Sequence, residues 1–291
     1  MGEDGTGDRE VIPLFPLETP LFPGVVLPLQ IFEPRYRQLV ADLSALPEGT
    51  PRRFGVVAIR QGWEVERVAP AEALFDVGCT AVLRVVAPQS DGGYQVVSVG
   101  DERFRLLEVL APADLDEHAV PAGGGDPDPG AGAPPTYLRA VVEWLDEEEA
   151  AEEAAGDAEA VTDDGGLAPP PDAVARSVAR GSLDLLARGV GDLFTQYVAE
   201  VSALGAGAHG DGVEAAVRLA AAADDPSALS WLVASSALLT TEDRQALLAE
   251  SATRRRLAAE SRLLRRELTL LQTLGAVPAP LQQFATPMTV N

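Results

Sequence analysis

Apolar residues recur with two different periods along this chain, and the change of period divides it in two. Between residues 10 and 110 they fall in short runs separated by Gly, Pro and Asp, which is typical of closely spaced strands. From residue 172 onward they recur every three or four positions, which predicts helices. The predicted fold class is therefore α+β, with a small closed or nearly closed β-barrel and one early helix, followed by a C-terminal helical bundle.

The passage from residue 11 to residue 40 is the most informative part of the strand-rich half. Prolines, Pro28 among them, remove backbone donors and predict strands that lie at a sheet edge or are interrupted. A helix then begins abruptly at Pro34, and Glu33 before it can act as the cap. Tyr36 starts the apolar face of this helix.

Start and stop signals also mark the later helices. Asp225 followed by Pro226 predicts one helix start, and Thr240 with Asp243 forms a capping-box pattern for the next. A long final helix ends at Gly275. Its predicted apolar face consists of Leu257, Leu264, Leu268 and Leu271, with Leu263, Leu270 and Leu274 alongside.

Composition adds the boundaries between these parts. The stretch from Glu143 to Asp164 contains many carboxylates and no basic residue, which predicts a solvated segment. The predicted organisation is a disordered tail at 1–9, a β domain at 10–145 with a flexible insertion at 111–134, an acidic and Pro-rich linker at 146–171, a helical bundle at 172–276 and a C-terminal tail at 277–291.

Charge and cysteine content restrict the partners and the compartment. A formal net charge of −23 repels phosphate backbones and anionic membranes, so nucleic acid is an unlikely partner and no membrane is expected. The single cysteine, Cys79, cannot form an intramolecular disulfide, which favours the cytoplasm. Composition does not predict the oligomeric state.

The chain contains no lysine, so all 22 basic side chains are arginine. A phosphate-binding P-loop and a Ser-Lys peptidase dyad both require lysine. Neither of these catalytic sites is therefore present in this chain, and the sequence predicts a protein that is not an enzyme.

Several motifs occur in the order seen in one known family. They are Phe54-Gly55, Gly78-Cys79-Thr80, Asp91-Gly92, and Gly100 followed by Arg103-Phe104. Together with residues 11–40, they closely resemble the LON substrate-binding domain, the N-terminal recognition domain of the Lon protease family. The chain is identified as a stand-alone member of that family. The resemblance implies a PUA-like barrel and structural roles for Pro28, Glu33, Pro34, Arg35, Tyr36, Gly55, Gly78, Gly100, Arg103 and Phe104.

The resemblance also implies a non-catalytic module that binds polypeptide clients or a partner protein, with a possible link to protein quality control. Phe15, Phe22 and Phe32 flank Pro and Gly breaks. Most of them are expected in the core, and one or two are candidates for a peptide-binding groove at the barrel mouth. Arg35 is expected to pair with a carboxylate across the barrel and fix the first helix, and the alternative is that Arg35 and Arg37 form a ligand-binding pair.

Two alternative functions remain open at this stage. PUA-type folds read RNA in other proteins, and the one basic cluster comprises Arg254–Arg256, Arg262, Arg265 and Arg266. These arginines are otherwise expected to be solvated, or to form an electrostatic latch with the acidic linker. An enzyme with an unrecognised small-molecule site is the other alternative.

No cofactor or metal site is predicted. His118 and His209 stand in Gly- and Ala-rich stretches without a second ligand at metal-binding spacing. Cys79 follows a glycine at a strand entry, and a small buried residue is the expected role.

Overall fold

The computed structural model separates the chain into two compact units, residues 1–145 and 146–291. It describes residues 9–60, 71–110, 135–147, 172–203, 222 and 225–275. The predicted insertion at 111–134, the predicted linker from residue 148 onward, the predicted C-terminal tail, and His118 and His209 lie outside these residues.

The described part of the first unit contains six strands and one α-helix, as the α+β prediction requires. Helix α1 (Pro34–Ala45) lies between the second and third strands. The described strands are β1 (Arg9–Leu17), β2 (Val26–Ile31), β3 (Arg53–Ala58), β4 (Val77–Pro88), β5 (Tyr94–Leu110) and β6 (Arg139–Leu145).

The strand pairings return to their starting point. β5 pairs with β4, which pairs with β3, and β3 runs parallel to β1. β1 pairs with β6, and β6 pairs back to the second half of β5. β2 pairs with the first half of β5. The inward side chains form one apolar core that includes Ile12, Leu14, Val57, Leu74, Phe104 and Val142.

The long strand β5 differs from the pattern of short apolar runs that the sequence shows between residues 10 and 110, two of which lie at 94–99 and 103–106. In the structure these are one strand of 17 residues. Its backbone stays paired past Gly100 because the strand exchanges one neighbour for another on the same side, β2 for β6. A pattern within one strand carries no information about such a change of partner.

The prolines occupy positions that tolerate the loss of an N–H donor. Within the described residues, β2 pairs with β5 alone, so Pro28 lies on an edge strand. In β1, residues up to Pro13 pair with β6, and residues from Leu14 onward pair with β3. Pro13 and Pro16 therefore lie in a strand that changes its partner midway, which agrees with the prediction of interrupted strands.

Helix α1 starts as predicted but is fixed differently. Pro34 is its first residue, while the side chain of Glu33 makes no capping hydrogen bond. Instead, a Glu33 carboxylate oxygen lies 2.7 Å from an Arg35 guanidinium nitrogen. The prediction that Arg35 pairs across the barrel is therefore wrong, because the carboxylate two residues away reaches it first. Tyr36 is buried and stacks on Phe15 with ring centroids 4.1 Å apart.

Two glycines of the motifs allow close backbone approach. A Cβ atom on Gly78 would meet the Val56 carbonyl oxygen and the Phe104 ring. A Cβ atom on Gly100 would overlap the backbone carbonyl of Phe22, whose side chain is buried. These positions therefore require glycine for space rather than for a special φ.

Gly100→Ala is expected to lower the free energy of unfolding by about 2–3 kcal/mol, since backbone atoms must move to admit the methyl group. The matched control is Gly189→Ala in the helical unit, where an added Cβ meets nothing within 4 Å. There alanine is expected to be neutral or stabilising by about 0.5–1 kcal/mol. Urea unfolding followed by circular dichroism measures both. Equal urea midpoints for the two variants would contradict the close approach at Gly100.

The second unit is helical in its described part. Its elements are α2 (Asp172–Ala203), α3 (Pro226–Ser236), α4 (Thr241–Ala249) and α5 (Thr253–Leu274). They share an apolar core to which α2, α3 and α5 contribute. The four leucines at the centre of the predicted face of α5, Leu257, Leu264, Leu268 and Leu271, are all buried. Leu270 and Leu274, predicted alongside them, are exposed because they lie at the margin of that face.

The predicted helix ends in this unit are also correct. Asp225 accepts hydrogen bonds from the N–H groups of Ser227 and Ala228, and Pro226 is the first residue of α3. The Thr240 hydroxyl accepts a hydrogen bond from the Asp243 N–H. Gly275 ends α5 in the left-handed conformation, with φ of 59°. Among the described helices, none combines the length and the apolar character that crossing a membrane would require.

Candidate functional site

The outward face of strands β2, β5 and β4 carries a continuous set of aliphatic side chains. Residues directly opposite each other on paired strands point to the same side of a sheet. The register aligns Val26 with Val99 and Val82, and it aligns Pro28 with Val97 and Val85. We call this set the valine face: Val26, Pro28, Val82, Val85, Val97 and Val99.

Solvent reaches the valine face. Val26 is 57% exposed and Val85 is 54% exposed, while Val97 and Val99 between them are half-buried. Their neighbours in sequence, Val96 and Ser98, point inward and are buried. An aliphatic surface three strands wide costs free energy in water, and such surfaces mark sites of interaction in soluble proteins.

Within the described residues, the edge of β2 that faces away from β5 is unpaired, and it borders this face. The Val25 carbonyl accepts a hydrogen bond from the Gly100 N–H. Backbone groups of an antiparallel strand alternate in direction, so those of Val26, Pro28 and Gln30 point away from β5. Pro28 offers only its carbonyl there. An extended chain added along β2 would therefore find alternating donors and acceptors with one donor missing.

The three predicted phenylalanines lie in different environments. Phe15 is 8% exposed and Phe22 is 1% exposed, so these two are core side chains and cannot line a surface groove. Phe32 is 73% exposed and directly follows the last residue of β2. The peptide-binding prediction is thus corrected for Phe15 and Phe22 by their burial, and Phe32 alone stays a candidate beside the valine face.

Four of the motif residues, Gly55, Gly78, Arg103 and Phe104, lie in the interior of the first unit. Phe104 is fully buried and lies against Gly55 and Gly78. Arg103 is also buried, at 3% exposure. These residues hold β3, β4 and β5 together and do not reach the surface, which is consistent with the predicted structural roles.

The charge of the described part of the first unit is close to balanced. The described residues of the first unit contain ten arginines and twelve carboxylates. Most of the chain's net charge of −23 therefore belongs to other segments, chiefly residues 111–134 and 146–171, which contain acids and no arginine. The described part of the first unit therefore carries little net charge that would repel a polypeptide of either sign.

The described residues provide neither a reactive Cys79 thiolate nor a group of side chains that could bind a metal ion. Burial raises the pKa of the Cys79 thiol to about 12, so the thiol stays protonated at neutral pH. No group of three His, Cys, Asp or Glu side chains in the described ranges is placed to hold a metal ion.

A second polar cluster, which we call the arginine hub, lies inside the helical unit. Arg256 is fully buried, so the prediction that all of Arg254–Arg256 is solvated is wrong for this residue. Its position in α5 faces the packed side, where its guanidinium lies 3.4 Å from the centroid of the Trp231 ring. The planar guanidinium stacks on an aromatic ring while its N–H groups stay available for hydrogen bonds.

The hub satisfies Arg256 with several acceptors. Its Nε donates to the Ser230 hydroxyl at 2.6 Å, and Nη1 donates to the Glu250 carbonyl at 2.7 Å. Nη2 donates to Thr253 at 2.9 Å and to Glu147 at 3.2 Å. Glu147 is the last described residue before the acidic run, so the hub fixes the point from which that run departs.

Glu260 completes the hub from the same helix. It is fully buried and accepts a hydrogen bond from the Ser230 hydroxyl at 2.8 Å. Burial away from water raises the pKa of Glu260 to about 8, although the Ser230 hydrogen bond and the Arg256 charge act in the opposite direction. The carboxyl group is therefore largely protonated at neutral pH.

Glu260 is expected to make the helical unit less stable as the pH rises. The pKa is raised above its ordinary value of 4.5, so the folded state binds the proton more tightly. The stabilisation is complete below pH 4.5 and is lost as the pH rises toward about 8, at up to about 1.4 kcal/mol per pH unit. Glu260→Gln keeps an acceptor for Ser230 and should flatten this dependence. Urea unfolding at pH 5 and pH 8.5 tests it, and parallel pH profiles for both proteins would contradict it.

Comparison with known proteins identifies the family. The sequence model of the ATP-dependent protease La (LON) substrate-binding domain matches residues 11–266. Lon protease 1 of Herpetosiphon aurantiacus is 25% identical over 270 residues, which cover 90% of this chain and 24% of that protease. Lon protease 2 of Syntrophobacter fumaroxidans is 29% identical over 104 residues, which cover 35% of this chain and 12% of that protease.

A solved structure agrees at the level of the fold. The N-terminal domain of the Mycobacterium avium complex Lon protease has a TM-score of 0.51 at 14% identity, covering 88% of this chain and 98% of that structure. The chain spans about a quarter or less of the length of the two curated proteases. Because the family match extends from the first strand to the last helix, the chain belongs to the ATP-dependent protease La (LON) substrate-binding domain family.

Proposed function

We propose that this protein is a non-catalytic recognition module that binds extended apolar segments of other polypeptides on the valine face. The observation that carries the proposal is the exposure of Val26 and Val85 on a sheet face that borders the free edge of β2. Backbone hydrogen bonds to the edge would supply affinity, and contact with the valines and Phe32 would select apolar side chains.

The family supports the general part of this proposal, because the matched domain is the substrate-binding part of Lon rather than its ATPase or peptidase. We also propose that the clients are those of protein quality control and that the protein is cytoplasmic. A single buried thiol that forms no disulfide is compatible with a reducing compartment. We also propose that the closed sheet is a PUA-like barrel and that the helices form a bundle. The return of the pairings to β5 and the shared helical core support this.

Binding to a permanently unfolded protein, prepared by reduction and alkylation and labelled with a fluorophore, tests the function. We expect anisotropy to show saturable binding whose Kd changes less than about threefold between 50 and 500 mM salt, since apolar burial is weakly screened. A single-stranded RNA held by five arginines would lose about a thousandfold over the same range. Binding of RNA alone, with that salt dependence, would replace the proposal with the nucleic-acid alternative.

A further inference from the structure

A row of exposed arginines lies on the solvent side of α5, opposite its buried leucines. The spacing of eleven residues from Arg254 to Arg265, and from Arg255 to Arg266, places these side chains in two adjacent lines on one face. The row is about 18 Å long at 1.5 Å per residue. We call it the arginine row: Arg254, Arg255, Arg262, Arg265 and Arg266.

Described carboxylates neutralise only part of this row. Arg255 pairs with Glu250 at 2.8 Å, and Arg266 pairs with Asp243 at 2.6 Å. In the part of the chain that the structure describes, no ion pair involves Arg262 or Arg265. Arg262 also has Arg266 one turn away, an arrangement of like charges that is unfavourable on a helix. The centre of the row therefore presents uncompensated positive charge in a chain of net charge −23.

The described part of the acidic run ends at the helix that carries this row. Glu147 is held by Arg256 at 3.2 Å, and the next seventeen residues, 148–164, contain eight carboxylates and no basic residue. Arg262 is six residues further along α5 than Arg256, about 9 Å along the helix axis and about a third of a turn around it. An extended chain covers that distance in about three residues, so length does not limit the contact.

We propose that residues 148–164 dock on the arginine row of their own chain, with Glu147 at the arginine hub as the fixed end. Each exposed ion pair is weak and screened by salt. Because the acidic segment and the arginine row belong to one chain, the segment is present at a high effective concentration near the row, and several weak pairs can form together. A separate acidic partner lacks this advantage. The docked segment would neutralise charge on the arginine row.

The absence of lysine allows a sharp test. Arg265→Lys introduces the sole side-chain amine of this chain, at an exposed position of the row. A carbodiimide then joins that amine to a contacting carboxylate by condensation with loss of water. We expect mass spectrometry to locate the links within residues 148–164, with at least a fivefold loss of yield in 0.5 M NaCl. Arg84→Lys, on exposed β4, is the matched control and should give little of this link.

A mixture of 15N-labelled and unlabelled protein distinguishes the source of the carboxylate. Links within one isotopic form support docking in the same chain, whereas mixed-isotope links would show a second copy as the occupant and overturn the proposal. Equal yields from Arg265→Lys and Arg84→Lys, or no link from Arg265→Lys to residues 148–164, would overturn it as well. Changing Glu148, Glu149, Glu152 and Glu153 to Gln should lower the yield at least threefold.

Discussion

Arg256→Ala is expected to destabilise the helical unit by about 3–5 kcal/mol, the range for breaking a buried charged cluster by removing one partner. The change removes the cation that stacks on Trp231 and leaves the Ser230 hydroxyl and the Glu250 carbonyl without their donor. Hydrogen exchange followed by mass spectrometry should show faster exchange in α3 and α5. Arg256→Lys should recover little of the loss, because an ammonium cannot reproduce the planar fork.

Arg254→Ala is the matched control for this prediction, since Arg254 is two residues away on the same helix and is exposed. Its free energy of unfolding is expected to change by no more than about 0.5 kcal/mol. An Arg256→Ala protein whose exchange in α3 and α5 equals that of Arg254→Ala would show that the hub does not stabilise the unit.

Val85→Asp is expected to weaken binding of an unfolded client about tenfold or more while leaving the fold intact. Val85 is more than half exposed, so the carboxylate remains hydrated in the free protein. Once an apolar segment covers the valine face, the same carboxylate loses water without gaining a partner, and this cost falls on the complex. Anisotropy with the labelled unfolded protein measures the loss, and thermal unfolding checks that the variant is folded.

Val11→Asp provides the control on another strand. Val11 is 50% exposed in β1, pairs with Val141 of β6 and lies outside the valine face. Its substitution has the same chemistry at nearly the same exposure, so client affinity should stay within about twofold of the parent protein. Equal losses for Val11→Asp and Val85→Asp would assign the effect to charge in general and not to the face.

The fold class and many element ends could be predicted because they depend on local physical rules. Pro34, Asp225 and Gly275 mark helix ends through backbone constraints that act within a few residues. The leucines of α5 reveal its packed side through their spacing alone. The order of the Gly-containing motifs was sufficient to indicate the family, and the family match agrees.

The candidate site could not be predicted from the sequence to the same extent, because it depends on strand register. Val82, Val85, Val97 and Val99 occur in apolar runs whose inward and outward positions cannot be separated without knowing the bulges of β4. The sequence instead indicated phenylalanines near Pro and Gly breaks as groove candidates, although Phe15 and Phe22 are in the core. Alternation of Val97 and Val99 with the buried Val96 and Ser98 was the signal available in the sequence.

The arginine hub illustrates a similar limit. A run of three arginines at the start of a helix normally indicates a solvated surface, and two of the three follow that rule. Arg256 departs from it because α3 supplies Trp231 and Ser230 at the right positions, 25 and 26 residues earlier in the chain. Local charge patterning does not contain that tertiary pairing.

The measurement that tests the central claim most directly is a titration of the protein, labelled on Leu and Val methyl groups, with an unlabelled extended apolar peptide, followed by NMR. The account predicts saturable shifts at Val26, Val85, Val97 and Val99, with the methyls of Val11 and of the α5 leucines unchanged. Shifts confined to α5, or no saturable shift at the valine face while the peptide binds, would contradict recognition of polypeptides by this face.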